Sequence, residues 1–452
     1  MSMNADHTVS LDIGTIREKI GKIPPSSTAN VMKNAIIANG IESVAFNNDS
    51  RIDLQNNFSH EIRSGKITSQ EKSGRCWMFA GLNLFRNRVT EALNIDDFEF
   101  SQNFPMFFDK LEKANYFLES VLRTLEEDIY SRILMWLLND PLLDGGQWDM
   151  FVNLVNKYGA VPKSVMPETF HSSNSAIMNQ LLTSQLRQWA SELRDQYAKS
   201  AEMEMLRERK QLFMLEFYRM LTYFLGDPPE RFTYDYRDKD KKHNTIANIT
   251  PVEFFNRFAK VNLEEYVSLI HAPTYDKPLG KVFTIDFLGN VIEGRKVLYL
   301  NTTLDNIKNC TIRQLQDQEP VWFGCDIRMQ TERQKGLMDS EVFLFNQALG
   351  THFALDKTTR LLYGDSLLTH AMVFTGVHLD RGIPVRWKVE NSWGEERGEK
   401  GFFIMSDSWF DQFTYQVVIH KKYLAPDLLK QLKADPIILP PWDPMGSLAK
   451  LI

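Results

Sequence analysis

The spacing of apolar residues divides this 452-residue chain into a helical part followed by a β-rich part. Over much of the first 268 residues, apolar side chains recur every three to four positions, which predicts amphipathic helices. Beyond that point, short runs rich in β-branched and aromatic residues are divided by Gly, Asp and Asn, which predicts strands joined by turns. Helices followed by strands, rather than alternating with them, favour an α+β fold.

The predicted elements follow from these two spacings. Helices are predicted over residues 11–20, 31–39, 76–93, 103–139, 147–158, 175–225 and 251–268. Strands are predicted over residues 282–285, 297–301, 321–325, 370–378, 385–390 and 402–405. Near the chain end, Pro436, Pro440, Pro441 and Pro444 exclude a continuous helix, because proline removes a helical hydrogen bond and clashes with the preceding turn.

Cysteine is scarce in this chain. The only three are Cys76, Cys310 and Cys325, and an odd, sparse set in a long chain favours a reducing compartment over a disulfide framework. The first 21 residues lack the apolar core of a signal peptide, and the longest apolar run is far shorter than the roughly 20 residues of a membrane helix. We therefore expect a cytoplasmic protein with no membrane partner.

Charge and histidine spacing exclude several other classes. The net charge of −6 disfavours a function in nucleic-acid binding. The nine histidines are scattered without the spacing of a metal-ligand set, so we expect no metal and no other cofactor. Asp235, Asp238 and Asp240 do not form an EF-hand loop, because His243 stands where that loop requires glycine.

Cys76 differs from the other two cysteines because it opens a strongly amphipathic helix. A thiol at a helix N-terminus lies at the positive end of the helix dipole, which favours the thiolate. Cys310 and Cys325 fit the ordinary role of small buried residues, and Cys325 lies in an apolar strand. Cys76 alone also fits that role, so its assignment as a nucleophile requires a base elsewhere in the chain.

His370 and Asn391 can provide the base and the group that orients it. His370 begins one predicted strand and Asn391 follows the next, so a hairpin places both at one end of a sheet. The Asn391 amide oxygen can accept the imidazole Nδ1–H, which leaves Nε2 facing the thiol, while Trp393 shields this bond from water. The Gln70 amide and the Cys76 backbone N–H can both donate to an oxyanion. Taken singly, each of these residues also fits a structural role.

Six segments resemble those of the papain-like cysteine peptidases and occur in the same order, which argues against a chance match. They are Gln70-x-x-x-Gly74-x-Cys76-Trp77, Asp144-Gly145-Gly146, Lys157-Tyr158-Gly159-Ala160-Val161-Pro162, His370-Ala371, Glu390-Asn391-Ser392-Trp393-Gly394 and Gly398-Glu399-Lys400-Gly401-Phe402-Phe403.

One spacing separates this chain from ordinary papains. Cys76 and His370 lie about 290 residues apart, where papain-type enzymes have about 130–150. The surplus is a domain's worth of chain and coincides with the charged helical stretch 175–268. With the segments 236–242 and 440–450, this architecture resembles the branch of bleomycin hydrolases and bacterial aminopeptidases C.

The resemblance implies a papain-like catalytic fold with a helical domain and a β-rich domain, a large helical insertion, an N-terminal hook and a C-terminal arm. Applied to this chain, it implies a hook at 1–60, the helical nucleophile domain at 61–174, the insertion at 175–268, the β-rich domain at 269–424 and the arm at 425–452. It also implies a homohexameric ring whose active sites face a central channel.

The resemblance further implies a cysteine aminopeptidase that hydrolyses N-terminal residues from peptides, and bleomycin-like amides as further candidate substrates. In this reading the carboxylate at the end of the arm meets the free α-amino group of the substrate. The implied residues are Cys76 as nucleophile, His370 as base and then acid, Asn391 as orienting group, Gln70 as oxyanion donor, and Gly145, Gly146, Trp393 and Lys450 in substrate binding.

The chain departs from the family at its end. Family arms commonly finish at or near an Ala-Lys pair, here Ala449-Lys450, but this chain continues with Leu451 and Ile452. Two extra residues in the cleft would push the terminal carboxylate past the nucleophile. We therefore predict that the enzyme trims its own tail to end at Ala449 or Lys450. A stable full-length intact mass in the active enzyme would contradict this prediction.

Two other functions remain open on the sequence. One is a cytoplasmic papain-like endopeptidase on the same scaffold, which activity on N-blocked peptides would distinguish from an aminopeptidase. The other is a ring-shaped protein that binds nucleic acid or peptides in its channel. Such a protein would keep its biological role after Cys76→Ala, whereas an enzyme would lose it.

Overall fold

The computed structural model describes residues 10–22 and 27–450, so the tail trimming predicted at Leu451 and Ile452 lies outside the described residues. The chain divides into two compact units. One comprises Met1–Asn48 with Glu341–Ala354, and the other comprises Asp49–Ser340 with Leu355–Ile452. Among the described residues, none of the helices is long and apolar enough to cross a membrane.

The helices and strands are numbered along the chain. The helices are α1 (Ile13–Gly21), α2 (Ser27–Asn39), α3 (Ile41–Ala45), α4 (Asn48–Asp53), α5 (Cys76–Ala92), α6 (Asn103–Arg123), α7 (Arg132–Asn139), α8 (Trp148–Tyr158), α9 (Phe170–Ser173), α10 (Ala176–Ala198), α11 (Met203–Leu225), α12 (Pro251–Phe258), α13 (Leu304–Gln316), α14 (Phe345–Leu349), α15 (Lys357–Leu362), α16 (Asp407–Phe413) and α17 (Pro426–Gln431). The strands are β1 (His60–Glu61), β2 (Phe232–Arg237), β3 (His243–Ile249), β4 (Tyr266–Ile270), β5 (Val282–Ile285), β6 (Tyr299–Asn301), β7 (Val321–Cys325), β8 (Thr331–Glu332), β9 (Leu337–Met338), β10 (His370–Asp380), β11 (Ile383–Glu390), β12 (Phe402–Ser406), β13 (Thr414–His420) and β14 (Ile437–Leu439). Short 3-10 turns occur at Leu263–Glu265, Lys421–Tyr423 and Pro444–Ala449.

The smaller unit is built from α1–α3 and the later helix α14. Asp12 caps α1, because its carboxylate accepts hydrogen bonds from the backbone N–H groups of Gly14 and Thr15. The two segments of this unit are joined by an antiparallel bridge between Phe46 and Phe343, whose rings meet edge to face at 6.5 Å.

The helical predictions correctly identify helical stretches, but three of them are too long. The stretch predicted as helical over 103–139 is two helices, α6 and α7, because residues 124–131 are not helical. The stretch predicted as one helix over 175–225 is two helices, α10 and α11, because the chain breaks between Ala198 and Met203. The helix predicted over 251–268 ends at Phe258, and residues 266–270 form strand β4 instead. The β2–β3 hairpin was not predicted. Short apolar runs fit a helix or a strand equally well, and neighbours distant in sequence decide between them.

The larger unit contains a twelve-stranded sheet, counted over the described residues. Its order is β14-β5-β6-β4-β13-β7-β10-β11-β12-β9-β8, and β1 pairs with β10. All six predicted strands belong to it, but its central strands β4 and β13 were not predicted. Arg381 and Gly382 both have positive φ, as a tight two-residue turn requires, and this turn joins β10 to β11. His370 therefore begins β10 at the same end of the hairpin at which Asn391 follows β11.

Helix α5 is buried against this sheet and brings the predicted nucleophile to it. Every residue from Cys76 to Arg86 is buried, which is typical of a helix enclosed by protein. The Trp77 carbonyl accepts a hydrogen bond of 3.1 Å from Trp322 Nε1 on β7, which fastens the first turn of α5 to the middle of the sheet.

The charged helical stretch of the sequence packs on α6 through one apolar face. Trp189 of α10 stacks on Phe213 of α11 with ring centroids 4.8 Å apart. Lys210 of α11 donates to Asn115 of α6 at 2.7 Å. The opposite faces of α10 and α11 carry exposed apolar side chains.

Candidate active site

Cys76 is the first residue of α5 and is only 4% exposed. The turn before it is held by a hydrogen bond of 3.0 Å from the Gly74 backbone N–H to Asp144 Oδ2. The thiol lies against the backbone N–H of Ala371, the residue that follows His370. The structure thus brings the predicted nucleophile to the start of β10, where the predicted base lies.

The expected preference of Cys76 for the thiolate is wrong, because the thiol is buried. Burial raises the pKa of the Cys76 thiol to about 11, although the backbone N–H groups of Ala371, Trp77 and Cys76 itself act in the opposite direction. The helix terminus is visible in the sequence, whereas the residues that bury the thiol come together only in the fold. The thiol is therefore protonated at neutral pH and requires a base before it can attack.

His370 and Asn391 meet as predicted, but through the other ring nitrogen. His370 Nε2 and Asn391 Oδ1 are 2.8 Å apart, where Nδ1 was expected. Asn391 follows the neighbouring strand β11, and its side chain contacts the ring nitrogen that is farther from the His370 backbone. The contact with Asn391 uses Nε2, so Nδ1 is the ring nitrogen that remains for a proton from a thiol.

The His370 ring is enclosed and neutral. Trp393 lies beside it, with ring centroids 4.8 Å apart, as expected for a residue that shields the hydrogen bond to Asn391. Burial lowers the pKa of His370 from 6.5 to about 4, the bond to Asn391 acts in the opposite direction, and the positive charge of Arg333 lowers it further. At neutral pH the imidazole can therefore accept a proton.

Gln70 is buried and joins two of the predicted segments. Its side-chain Nε2 donates to the Ser73 carbonyl at 2.6 Å, and its Oε1 accepts from Ser392 Oγ at 2.7 Å. Its backbone N–H also donates to the Ser392 carbonyl at 2.8 Å. A primary amide carries two N–H groups, so the bond to Ser73 leaves one of them for an oxyanion.

Gly145 and Gly146 form a loop fastened to α5 and α6. A Cβ at Gly146 would lie 2.4 Å from the Trp77 ring, so this close approach requires glycine. Trp77 Nε1 donates to the Asp144 carbonyl at 2.7 Å, and Lys113 Nζ donates to the Gly145 carbonyl at 2.6 Å. The loop is therefore a fixed edge along which an extended peptide can lie.

The carboxylate of Asp144 has a role that was not predicted. It accepts hydrogen bonds from Gly74 N–H at 3.0 Å and Asn179 Nδ2 at 2.8 Å, and it also bonds Ser175 Oγ. Burial would raise the pKa of Asp144, but Lys110 at 2.6 Å and these donors hold it well below its ordinary value. One charged group thus joins the nucleophile turn to the first turn of α10, a role that the segment Asp144-Gly145-Gly146 alone does not indicate.

A buried ion pair that was not predicted supports the Asn391 segment. Arg86 of α5 and Glu390 are 2.8 Å apart, and their side chains are 2% and 3% exposed. Removing either partner alone would leave an unpaired buried charge, at a cost of about 3–5 kcal/mol. The pair connects the helix that carries Cys76 to the strand that precedes Asn391.

The C-terminal segment contacts both sides of the site. Its strand β14 pairs in parallel with β5, and its last turn follows at Pro444–Ala449. The Met445 carbonyl accepts hydrogen bonds from Gln147 Nε2 at 3.3 Å and Tyr299 OH at 3.2 Å. Ser447 Oγ donates to the Leu368 carbonyl at 2.8 Å. Gln147 follows Gly146 and Leu368 shortly precedes His370, so this turn bridges the two parts of the site.

Lys450 lies against α7 and the residue that follows this helix. Its Nζ is 3.4 Å from the Asp140 carbonyl oxygen and 4.1 Å from the centre of the Trp136 ring. Burial lowers the pKa of Lys450 to about 8. Its predicted part in substrate binding remains a prediction. In residues 10–22 and 27–450, no three His, Cys, Asp or Glu side chains come together as a metal site.

Comparisons of the chain with known proteins all match one family of peptidases. Residues 11–446 match the Peptidase C1-like family. The chain is 48% identical to aminopeptidase C of Listeria monocytogenes, over 93% of this chain and 94% of the relative. It is 40% identical to bleomycin hydrolase of Gallus gallus, over 87% and 89% of the two chains. The crystal structure of PepW from Lactobacillus rhamnosis HN001 superposes with a TM-score of 0.95 at 46% identity, over 97% of this chain and 99% of that one.

Proposed function

The chain belongs to the Peptidase C1-like family, and from this premise we propose that Cys76, His370 and Asn391 carry out its cysteine aminopeptidase activity. The fold is papain-like, with a large helical insertion. The observation that carries the assignment is the 2.8 Å contact between His370 Nε2 and Asn391 Oδ1, which keeps Nδ1 for the proton of the thiol.

The proposed reaction begins with transfer of the Cys76 thiol proton to His370 Nδ1. The sulfur then attacks the carbonyl carbon of the first peptide bond, and the oxyanion that forms accepts hydrogen bonds from the Cys76 backbone N–H and Gln70 Nε2. His370 gives its proton to the leaving amine, which breaks the C–N bond and leaves an acyl-enzyme. Water, deprotonated by His370, releases the N-terminal residue and restores the thiol.

We propose that the C-terminal arm, residues 425–452, restricts the enzyme to the N-terminal residues of its substrates. Its last turn already joins Gln147 to Leu368, so it occupies space that the N-terminal side of a longer substrate would need. The carboxylate at the end of the arm would pair with the free α-amino group of the substrate. Gly145 and Gly146 would hold the backbone of the substrate, and Trp393 would close the cleft over His370.

Matched fluorogenic amides with a free and an N-acetylated amine test this function. The wild-type protein is expected to hydrolyse the free-amine compound and to lose this activity to a thiol alkylator. Equal hydrolysis of the N-acetylated compound by wild-type protein would establish the endopeptidase alternative instead.

Truncation before Trp442 is expected to remove the preference for a free amine. A hydrogen bond to a charged group is worth about 1.5–3 kcal/mol, so the loss of the amine–carboxylate pair should lower kcat/KM for the free-amine compound about 10–100-fold. Hydrolysis of the N-acetylated compound should rise, because the cleft is open. A truncated protein that still rejects N-acetylated compounds would refute the role of the arm.

Assembly and location are also proposed. Apolar side chains at least half exposed lie on the insertion helices, namely Ile177, Leu181, Met205, Leu212, Leu215 and Tyr223. Patches of this kind mark interfaces between proteins. We propose a homohexameric ring built through the insertion 175–268 and the hook 1–60, with the catalytic domains at 61–174 and 269–424. The three free cysteines suit the reducing cytoplasm. Light scattering of the purified protein tests the ring, because a monomeric mass would exclude it.

A further inference from the structure

A buried ion pair connects the C-terminal arm to the body of the protein. Lys277 Nζ lies 2.8 Å from Asp443 Oδ2 on the arm and 2.8 Å from Asp276 Oδ2 beside it in sequence. The Lys277 and Asp443 side chains are 3% and 4% exposed, whereas Asp276 is 40% exposed. The lysine therefore has a buried partner on the arm and a more accessible one on the body.

The segment that carries Lys277 is held rigidly. Asn301, fully buried on β6, donates from Nδ2 to the Lys277 carbonyl at 2.6 Å and to the Ala272 carbonyl at 3.0 Å. Its Oδ1 accepts from the Ala272 backbone N–H at 3.0 Å. One side chain thus fixes both ends of residues 272–277, and the ammonium group of Lys277 is presented from a preorganised loop.

Asp443 uses its two carboxylate oxygens for two different contacts. Oδ2 faces Lys277, while Oδ1 accepts from the Met445 backbone N–H at 2.9 Å and so begins the Pro444–Ala449 turn. This is the turn whose Met445 carbonyl meets Gln147 and whose Ser447 meets Leu368. The ion pair therefore sets where the last turn of the arm starts, between the two parts of the site.

We propose that Lys277 is a positioning residue that holds the arm in the cleft through Asp443 and thereby sets the preference for free N-termini. This inference rests on the proposed role of the arm. Upstream of Asp443, strand β14 of the arm pairs with β5, and Arg132 lies 3.6 Å from the centre of the Trp442 ring, which is 38% exposed. A charge pair removed from water tolerates the loss of one partner far less than an exposed contact does.

The two single substitutions should differ in effect. Lys277→Met leaves the buried carboxylate of Asp443 without its cation, and the arm can relieve this by leaving the cleft while the body stays folded. Asp443→Asn leaves Lys277 paired with Asp276 and keeps an oxygen to cap the turn, so the arm should stay closer to its place. A merely structural role for Lys277 would not predict this order in substrate preference.

The test compares kcat/KM for N-acetylated and free-amine amides in full-length variants. Lys277→Met is expected to raise the ratio of the two at least tenfold, toward the value of the protein truncated before Trp442. Asp443→Asn should raise it less, and Lys277→Arg should return it close to the wild-type value. Lys281→Met is the matched control, because Lys281 is an exposed lysine near the same loop, and its ratio should not change.

Failure of this inference and failure of the proposed function are distinguishable. If the ratio of the two kcat/KM values rises in the truncated protein but not in Lys277→Met, the role of Lys277 is overturned and the role of the arm is kept. If the ratio does not change in the truncated protein, the role of the arm is overturned, and this inference with it. If Lys277→Met does not fold, the double variant Lys277→Met/Asp443→Asn removes both buried charges of the pair. A folded double variant with the wild-type ratio then overturns the proposal.

Discussion

Cys76→Ser is expected to lower kcat for a free-amine amide by on the order of 10⁶-fold, the scale of loss when a nucleophile of this kind is removed. The serine hydroxyl fits the space of the thiol, which is almost fully buried, so the fold should be unchanged. A hydroxyl is far less acidic than a thiol, and His370, with its pKa lowered to about 4, is a weak base for it. Steady-state hydrolysis measures this loss, and circular dichroism verifies the fold.

The other cysteines supply matched controls for this substitution. Cys310 Sγ lies 3.6 Å from the Tyr423 carbonyl, on helix α13, which carries none of the proposed catalytic residues, so Cys310→Ser should keep wild-type activity. Cys325 Sγ lies 3.8 Å from the His370 carbonyl, so Cys325→Ser is the stricter control and should lose no more than a few-fold. Activity that survives Cys76→Ser, or that disappears in Cys310→Ser, would show that the nucleophile has been assigned wrongly.

The parts of the site that sequence could predict are those carried by short-range patterns. The periodicity after Cys76 predicts a helix that begins at the thiol, and the two β-rich runs around Gly382 predict a hairpin that brings His370 and Asn391 to one end. The α+β division of the chain follows from the same two periods. Each of these predictions depends on residues close together along the chain.

The parts that could not be predicted depend on residues far apart in sequence. The choice of Nε2 for the Asn391 contact depends on which side of the ring the neighbouring strand lies. The raised pKa of Cys76 depends on how completely the fold encloses the thiol. Asp144 acquires its role only when Lys110 and α10 close around it. The central strand β13 was not predicted, because its assignment as a strand depends on its pairing with β4 and β7, which are distant in sequence.

His370→Ala is expected to lower kcat by about 10²–10⁴-fold, the usual contribution of a positioned acid or base. In the wild-type protein, kcat/KM should fall on the acid side near pH 4 rather than near 6.5. The reason is the direction of the pKa shift: burial lowers the pKa of His370 to about 4, so the imidazole stays neutral and able to accept the thiol proton until the pH drops to that value. A pH series of initial rates on the free-amine amide measures both effects.

The lowered pKa of His370 also affects the stability of the fold, so the experiment must separate lost activity from lost structure. A buried base whose pKa is about 4 in the folded state and 6.5 unfolded stabilises the fold above pH 6.5, and this contribution is lost as the pH falls toward 4. Circular dichroism at each pH therefore shows whether lost activity is lost structure. His378→Ala, on the same strand but half-exposed, is the matched control and should keep the wild-type rate and acid limb. A folded wild-type protein whose activity falls near pH 6.5 would contradict the neutral, enclosed imidazole on which the proposed proton transfer depends.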